Sequence, residues 1–402
     1  MRSNLLVALT TIAVLTTTAA FAGDKRYDAG ASDTEIKIGQ TMPYSGPASG
    51  YGVNGKVEAA YWRMINSKGG INGRKITLLS MDDGYSPPKT LEQTRRLVEQ
   101  DDVLAIIGAL GTPTNSAIHK YLRSKKVPHL LITSGASKWN DPKEFPWATP
   151  FYPPYEQEAR IYGKYVAKEM PSAKIAVIYQ NDDFGKDYLR GFKEGLGDKA
   201  MIIKEASYEV SDPTIDSQIV NLKASGADTL LTIATPKFAA QSIRKVNALG
   251  WKPAHFMVSV GASIGGVLEP AGLDASKGLI SAFTAKVIGD PAWDEDKGVK
   301  DYLAFMKEWY PDGNPIDGSV QVGYTVAQMT EVLLRACGDD LTRENLVKQA
   351  THLTNVSLPL FLPGVTISTT PSDYSAYHIF KMAKFDGKAW KFFGENIDTS
   401  AK

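Results

Sequence analysis

The chain has a single cysteine, Cys337, in 402 residues. It cannot form an intrachain disulfide, and no CxxC pair exists to hold a structural metal. The five histidines, His119, His129, His255, His352 and His378, lack ligand spacing. No metal and no cofactor is therefore expected. Neither sign of charge dominates: 45 Lys and Arg stand against 44 Asp and Glu. That balance gives no electrostatic footprint for nucleic acid or an anionic membrane. Beyond the first twenty or so residues no run is apolar enough to span a bilayer. Cys337 follows the helical pattern of Val326–Arg335 and reads as a half-buried thiol.

What is present begins with a leader. Met1-Arg2 gives a positive start, Leu5–Ala20 carries no charge, and Ala20-Phe21-Ala22 is a small-x-small cleavage site. This is the three-part pattern of a secretory signal peptide over residues 1–22. Its strongly apolar part is about ten residues, half of what a bilayer span needs. The exported remainder, about 380 residues, is long enough to bury its own cores without disulfides.

Strands and helices then alternate. Glu35–Gln40, Lys75–Met81, the near-continuous apolar run Val103–Gly108 and Pro128–Thr133 read as strands. Gly55–Asn66, Pro88–Glu99 and Pro113–Lys125 read as the helices between them. This predicts a parallel sheet covered on both faces. A stretch dense in proline and aromatics, Trp139–Trp147 through Tyr152-Pro153-Pro154, marks a boundary. The pattern restarts with strands at Lys174–Tyr179, Ala200–Ala206, Asp228–Ile233 and His255–Ser259. Helices alternate with them at Tyr155–Glu169, Gly185–Leu196, Ile215–Ala224 and Lys237–Leu249. Helical segments at Gly298–Trp309 and Val320–Ala336 and a β-rich tail at Ile367–Phe393 complete both halves. The expected architecture is α/β, with two Rossmann-like lobes: residues 33–150 plus 285–360, and 151–284 plus 361–396. A ligand in such a pair lies between the lobes, at the carboxyl ends of the strands.

Several segments carry a resemblance. Thr41–Gly52 follows the first strand, and Asn66–Ile76 contains Gly69-Gly70-Ile71-Asn72-Gly73. Leu110–Asn115, Ile132–Ser137 and Gln180-Asn181-Asp182-Asp183-Phe184-Gly185 follow in order. From Glu35 to Phe393 the chain resembles the periplasmic solute-binding proteins of the leucine/isoleucine/valine type. The resemblance implies a type I periplasmic binding fold with three hinge crossings, no catalysis, a periplasmic monomer, and delivery to an ABC permease in the inner membrane. It also implies site residues. Tyr51 takes the place of a ligand-contacting ring, Thr112 and Ser137 stand where hydroxyls and amides hold a carboxylate, and Phe184 and Tyr324 match rings of the site. Tyr152 and Thr235 join the candidate contacts. Independently, Thr112-Pro113 reads as a helix N-cap followed by proline, and a helix N-terminus favours an anion.

Two departures stand out. Amino-acid binders of this type carry a glutamate that pairs with the ligand ammonium; here the position is Val260, and no acid follows until Glu269. An enclosed ammonium without a counter-charge costs several kcal/mol. The cysteine pair of those binders, near Tyr85 and Gly111, is also absent. An aromatic lining drawn from Tyr51, Trp139, Trp147, Tyr152, Phe184 and Tyr324, with an anion site at Thr112 and Ser137, fits an aromatic acid such as a benzoate or hydroxycinnamate. An α-amino acid and a neutral amide are the alternative ligand classes.

Other motifs point elsewhere. Gly50–Gly55 spells GxGxxG, but Gly50 lies ten residues past Gln40, too far for the turn of a dinucleotide site. Gly261–Gly265 spells GxSxG around Ser263, the signature of an exported serine hydrolase, but the glycine- and proline-bearing segment after it cannot form the long helix an esterase elbow needs. Asp82-Asp83 and Asp182-Asp183 end strands and read as solvated loop acids or N-caps.

Overall fold

The computed structural model describes residues 25–400; the leader assigned to residues 1–22 lies outside them. The described chain opens with a two-residue strand, β1 (Arg26–Tyr27). The first half then builds β2 (Glu35–Met42), β3 (Lys75–Asp82), β4 (Ala105–Ile107), β5 (His129–Ile132) and β6 (Ala148–Pro150). Helices α1 (Val53–Ser67), α2 (Pro87–Glu99) and α3 (Thr112–Lys125) are the crossovers. All pairs are parallel, in the order β3-β2-β4-β5-β6. Burial on both faces explains why β4 is wholly apolar.

The second half contains β7 (Lys174–Gln180), β8 (Met201–Tyr208), β9 (Thr229–Ile233), β10 (Ala254–Met257) and β11 (Ile280–Phe283). Helices α4 (Tyr155–Glu169), α5 (Asp183–Leu196), α6 (Asp216–Ala224) and α7 (Pro236–Ala248) flank them, with two short turns, α8 (Glu269–Ala271) and α9 (Leu273–Ser276). Helices α10 (Lys297–Trp309) and α11 (Gly318–Cys337), strand β12 (Asp340–Leu341) and helix α12 (Arg343–Ala350) follow, β12 pairing with β1. Finally β13 (Ile379–Phe385) and β14 (Trp390–Asp398) join the second sheet antiparallel, giving β14-β13-β11-β10-β9-β7-β8.

Helices α10 and α11 pack with α1 on the first sheet through Val57, Tyr61, Phe305, Tyr324 and Met329. Each sheet with its helices is thus a lobe, and the fold is the α/β type with two mainly parallel sheets. The chain passes between lobes after β6, after β11 and ahead of β13; Ala285 and Phe361 pair where two passages run side by side.

The structure extends the sequence reading in places. Strands β6 and β11 and helix α12 carry too few residues to stand out by periodicity. Most of Ile367–His378 is irregular rather than strand. Cys337 is the last residue of α11 and is buried, not a half-buried residue beyond the helix. Among the described residues no helix is long and apolar enough to cross a membrane.

Candidate functional site

A cavity of about 170 Å3 lies between the lobes, walled by strand ends and by the crossing segments. Its polar end is built at the start of α3. Gly111 adopts φ 103° and holds the N-cap position, so Thr112 is the first helical residue rather than the cap. The Thr112 hydroxyl is thereby free of capping and pairs with the Ser134 hydroxyl at 2.7 Å. Any side chain at Gly111 would run into the ring of Tyr85, 2.5 Å from where its Cβ would lie. Tyr85 itself has φ 60° and is held by its N–H donating to Asp83 Oδ1. The Tyr155 ring, at the first position of α4, lines the same cavity. A helix N-terminus beside paired hydroxyls attracts an anion. Burial keeps the phenols of Tyr51, Tyr85 and Tyr155 neutral, that of Tyr155 pushed up to about 12.

The opposite wall is organised by Glu158 of α4. Its Oε1 accepts from the Ser259 N–H (2.7 Å) and the Tyr162 phenol (2.6 Å). Its Oε2 accepts from the Ser259 hydroxyl (2.7 Å) and the Tyr188 phenol (2.8 Å). Burial raises its pKa, opposed by these bonds. The acid beside Val260 is therefore fully engaged behind the wall, and Val260 lines the cavity in front of it. Among the lining residues there is no aspartate or glutamate, and the one cation, Lys286, donates to Asp296 Oδ2 (2.7 Å) and Pro359 O (2.8 Å).

Of the residues named from sequence, Tyr51, Thr112, Tyr152, Phe184, Thr235 and Val260 line the cavity. Ser137 and Tyr324 do not. The Ser137 N–H donates to Asp187 and its hydroxyl accepts from Arg190; Ser134, three residues earlier, faces Thr112 instead. Tyr324 packs with Tyr61, Tyr302 and Phe305 in the core of the first lobe. Trp139 is fully buried, its indole N–H donating to Ser134, and Trp147 lines a separate small cavity. Tyr85, Tyr155, Phe283 at the end of β11 and the crossing residue Phe361 also line the site. The strand-end acids are structural: Asp82 pairs with Lys89, Asp183 with Lys138, Asp182 caps α5, and Asp83 is buried. Among the described residues no group of three potential metal-ligating side chains occurs.

Two α/β lobes thus flank a cleft of a size to take a small molecule. The family model described as periplasmic binding protein matches residues 35–389, and the chain belongs to that family. Membership makes it a binding protein rather than an enzyme. A Leu/Ile/Val-binding protein homolog 7 from Brucella suis is 25% identical over 340 residues, 79% of this chain and 81% of that protein. A branched-chain amino acid ABC transporter structure from Thermus thermophilus with bound valine superposes with TM-score 0.81 at 16% identity, over 91% of this chain and 98% of that one. An ABC transporter solute-binding protein from R. palustris in complex with benzoate gives 0.77 at 19% identity, over 92% and 98%.

Proposed function

We propose that the chain is the solute-binding component of an ABC importer and that its ligand is an aromatic carboxylic acid of the benzoate or hydroxycinnamate type. The observation that carries the reading is the cavity lining, which offers hydroxyls and a helix N-terminus but no carboxylate. An anion is stabilised there; an enclosed ammonium would lack a partner, at a cost of several kcal/mol. The size agrees: a protein cavity of ~150 Å3 lined by apolar side chains holds a benzene ring. The rings of Tyr51, Tyr152 and Phe184 supply faces and edges for stacking.

In this reading residues 33–150 plus 285–360 and 151–284 plus 361–396 are lobes that close about the crossings, except that Phe361, Leu362, Val365, Ile367, Ala376 and Tyr377 pack in the core of the first lobe, so the second lobe resumes at β13. The protein works as a monomer in the periplasm once residues 1–22 are removed, and an inner-membrane permease receives the closed form. Thermal unfolding with benzoate, 4-hydroxycinnamate, leucine and benzamide tests the ligand class. A ligand at 100 times its Kd stabilises by about 2.7 kcal/mol. The expected result is a clear rise in Tm with the aromatic acids and none with leucine or benzamide. A larger rise with leucine overturns the assignment.

A further inference from the structure

The GxSxG segment, which performs no catalysis here, has another use. Ser263 belongs to the lobe of the seven-stranded sheet, where Ala262, Ile264 and Val267 enter its core. Its hydroxyl meets the first turn of α11, which packs on the other lobe. Ser263 Oγ donates to Asp317 Oδ1 at 2.9 Å and accepts the Gly318 N–H at 2.9 Å. It also accepts the Gly266 N–H of its own turn at 2.9 Å. Beside it, the Gly265 N–H donates to Ile316 O at 3.3 Å, a backbone bond between the lobes.

The glycines make this approach feasible. A Cβ on Gly265 would lie 2.5 Å from Asn314 Nδ2, and one on Gly266 would lie 2.8 Å from Asp317 Oδ1. Ser263, Ile264, Ile316 and Gly318 all line the cavity, so these bonds lie at its wall. The Gly318 amide is a first-turn donor with no partner inside its own helix. Water can satisfy it when the lobes part, so the contact can be broken without leaving a buried orphan.

We propose that the Ser263–Gly266 turn and Asp317–Gly318 form a clasp that holds the two lobes closed over the cavity. It adds a closed-state contact independent of the ligand, and so biases the equilibrium on which capture depends.

The geometry supplies its own test. A Cβ on Gly318 would lie 3.4 Å from the Ser263 Cβ, close to the ~3.5–4.5 Å that a disulfide requires. The double variant Ser263→Cys/Gly318→Cys, treated with oxidised glutathione and then with dithiothreitol, is compared by small-angle X-ray scattering without ligand. The expected result is a cross-link joining the two peptides by mass and a smaller radius of gyration in the oxidised form, reversed on reduction. No cross-link after prolonged oxidation overturns the proposal. So does a cross-link that leaves the radius unchanged, since the contact would then be static. Should the double variant not fold, Ser263→Ala is followed by amide exchange. Gly265 and Gly318 are expected to exchange at least tenfold faster than in the unmodified chain while β4 and β9 are unaffected; equal rates overturn the proposal.

Discussion

The two walls of the cavity come from similar lobes yet are electrostatic opposites. In the first lobe a glycine takes the helix cap, which frees the Thr112 hydroxyl to face inward beside Ser134. In the second lobe an acid lies behind the wall, but Glu158 is buried and saturated by Ser259, Tyr162 and Tyr188. One wall offers donors, and the other has its acceptor turned into the core. What a cavity can bind is thus set by which polar groups are left over after folding, not by which residue types lie nearby.

Glu158→Ala is the most severe way to break this contrast. It leaves the Ser259 N–H and two buried phenols without their acceptor. Loss of a buried acceptor with several donors costs about 3–5 kcal/mol. Urea unfolding at pH 7 is expected to show that loss, and an unchanged midpoint would mean that the wall is not organised by this acid.

The lobes agree, by contrast, in how they respond to acid. His129 of β5 and His255 of β10 are buried, and burial pushes both down to about 3. The ordinary value is about 6.5, so the unfolded chain takes up protons first as the pH falls. This contribution to stability is complete above pH 6.5 and is lost toward pH 3, at about 1.4 kcal/mol per pH unit for each histidine. Asp83 and Asp182, pushed up to about 6 by burial, act in the opposite sense: their contribution is present at low pH and lost as the pH rises through 6. Replacing His255 by Phe isolates the histidine effect. Between pH 6.5 and 4.5 the variant is expected to lose about 2–3 kcal/mol less than the parent by urea unfolding. Parallel losses would refute the burial argument.

Thr112→Val probes the anion-binding wall alone. The substitution keeps the shape and removes the hydroxyl. Benzoate affinity by calorimetry is expected to fall about tenfold or more, with folding stability changed by about 1 kcal/mol. Unchanged affinity would place the carboxylate elsewhere.

Much of this was legible in the sequence because it depends on periodicity and position. The alternation of apolar strands with amphipathic helices marked both sheets, and the lack of an acid at Val260 could be read directly. The resemblance points to Thr112, but the independent local reason fails: threonine before proline looks like a cap, and the positive φ of Gly111 moves the helix start by one residue. The resemblance alone points to Tyr324, and an aromatic on a helix reads alike in a core and in a cavity. Glu158 could not be seen to serve Ser259, since 101 residues separate them and only the fold brings them together. Tyr85 and Tyr155 carry no such mark in the sequence, because what directs them into the cavity is a left-handed backbone in one case and a polyproline entry to a helix in the other.

Ser137→Ala is the smallest expected effect and separates two nearly adjacent serines. The Ser137 hydroxyl accepts from exposed Arg190 at 3.1 Å, outside the cavity. Its loss is expected to leave benzoate affinity within about twofold and stability within about 0.5 kcal/mol, as for most surface substitutions. Ser134→Ala removes the buried partner of Thr112 and of the Trp139 indole. It should weaken benzoate binding together with Thr112→Val, and less than additively, because the two hydroxyls share one hydrogen bond. A larger effect at Ser137 than at Ser134 would move the anion site off α3 and into the loop that follows β5.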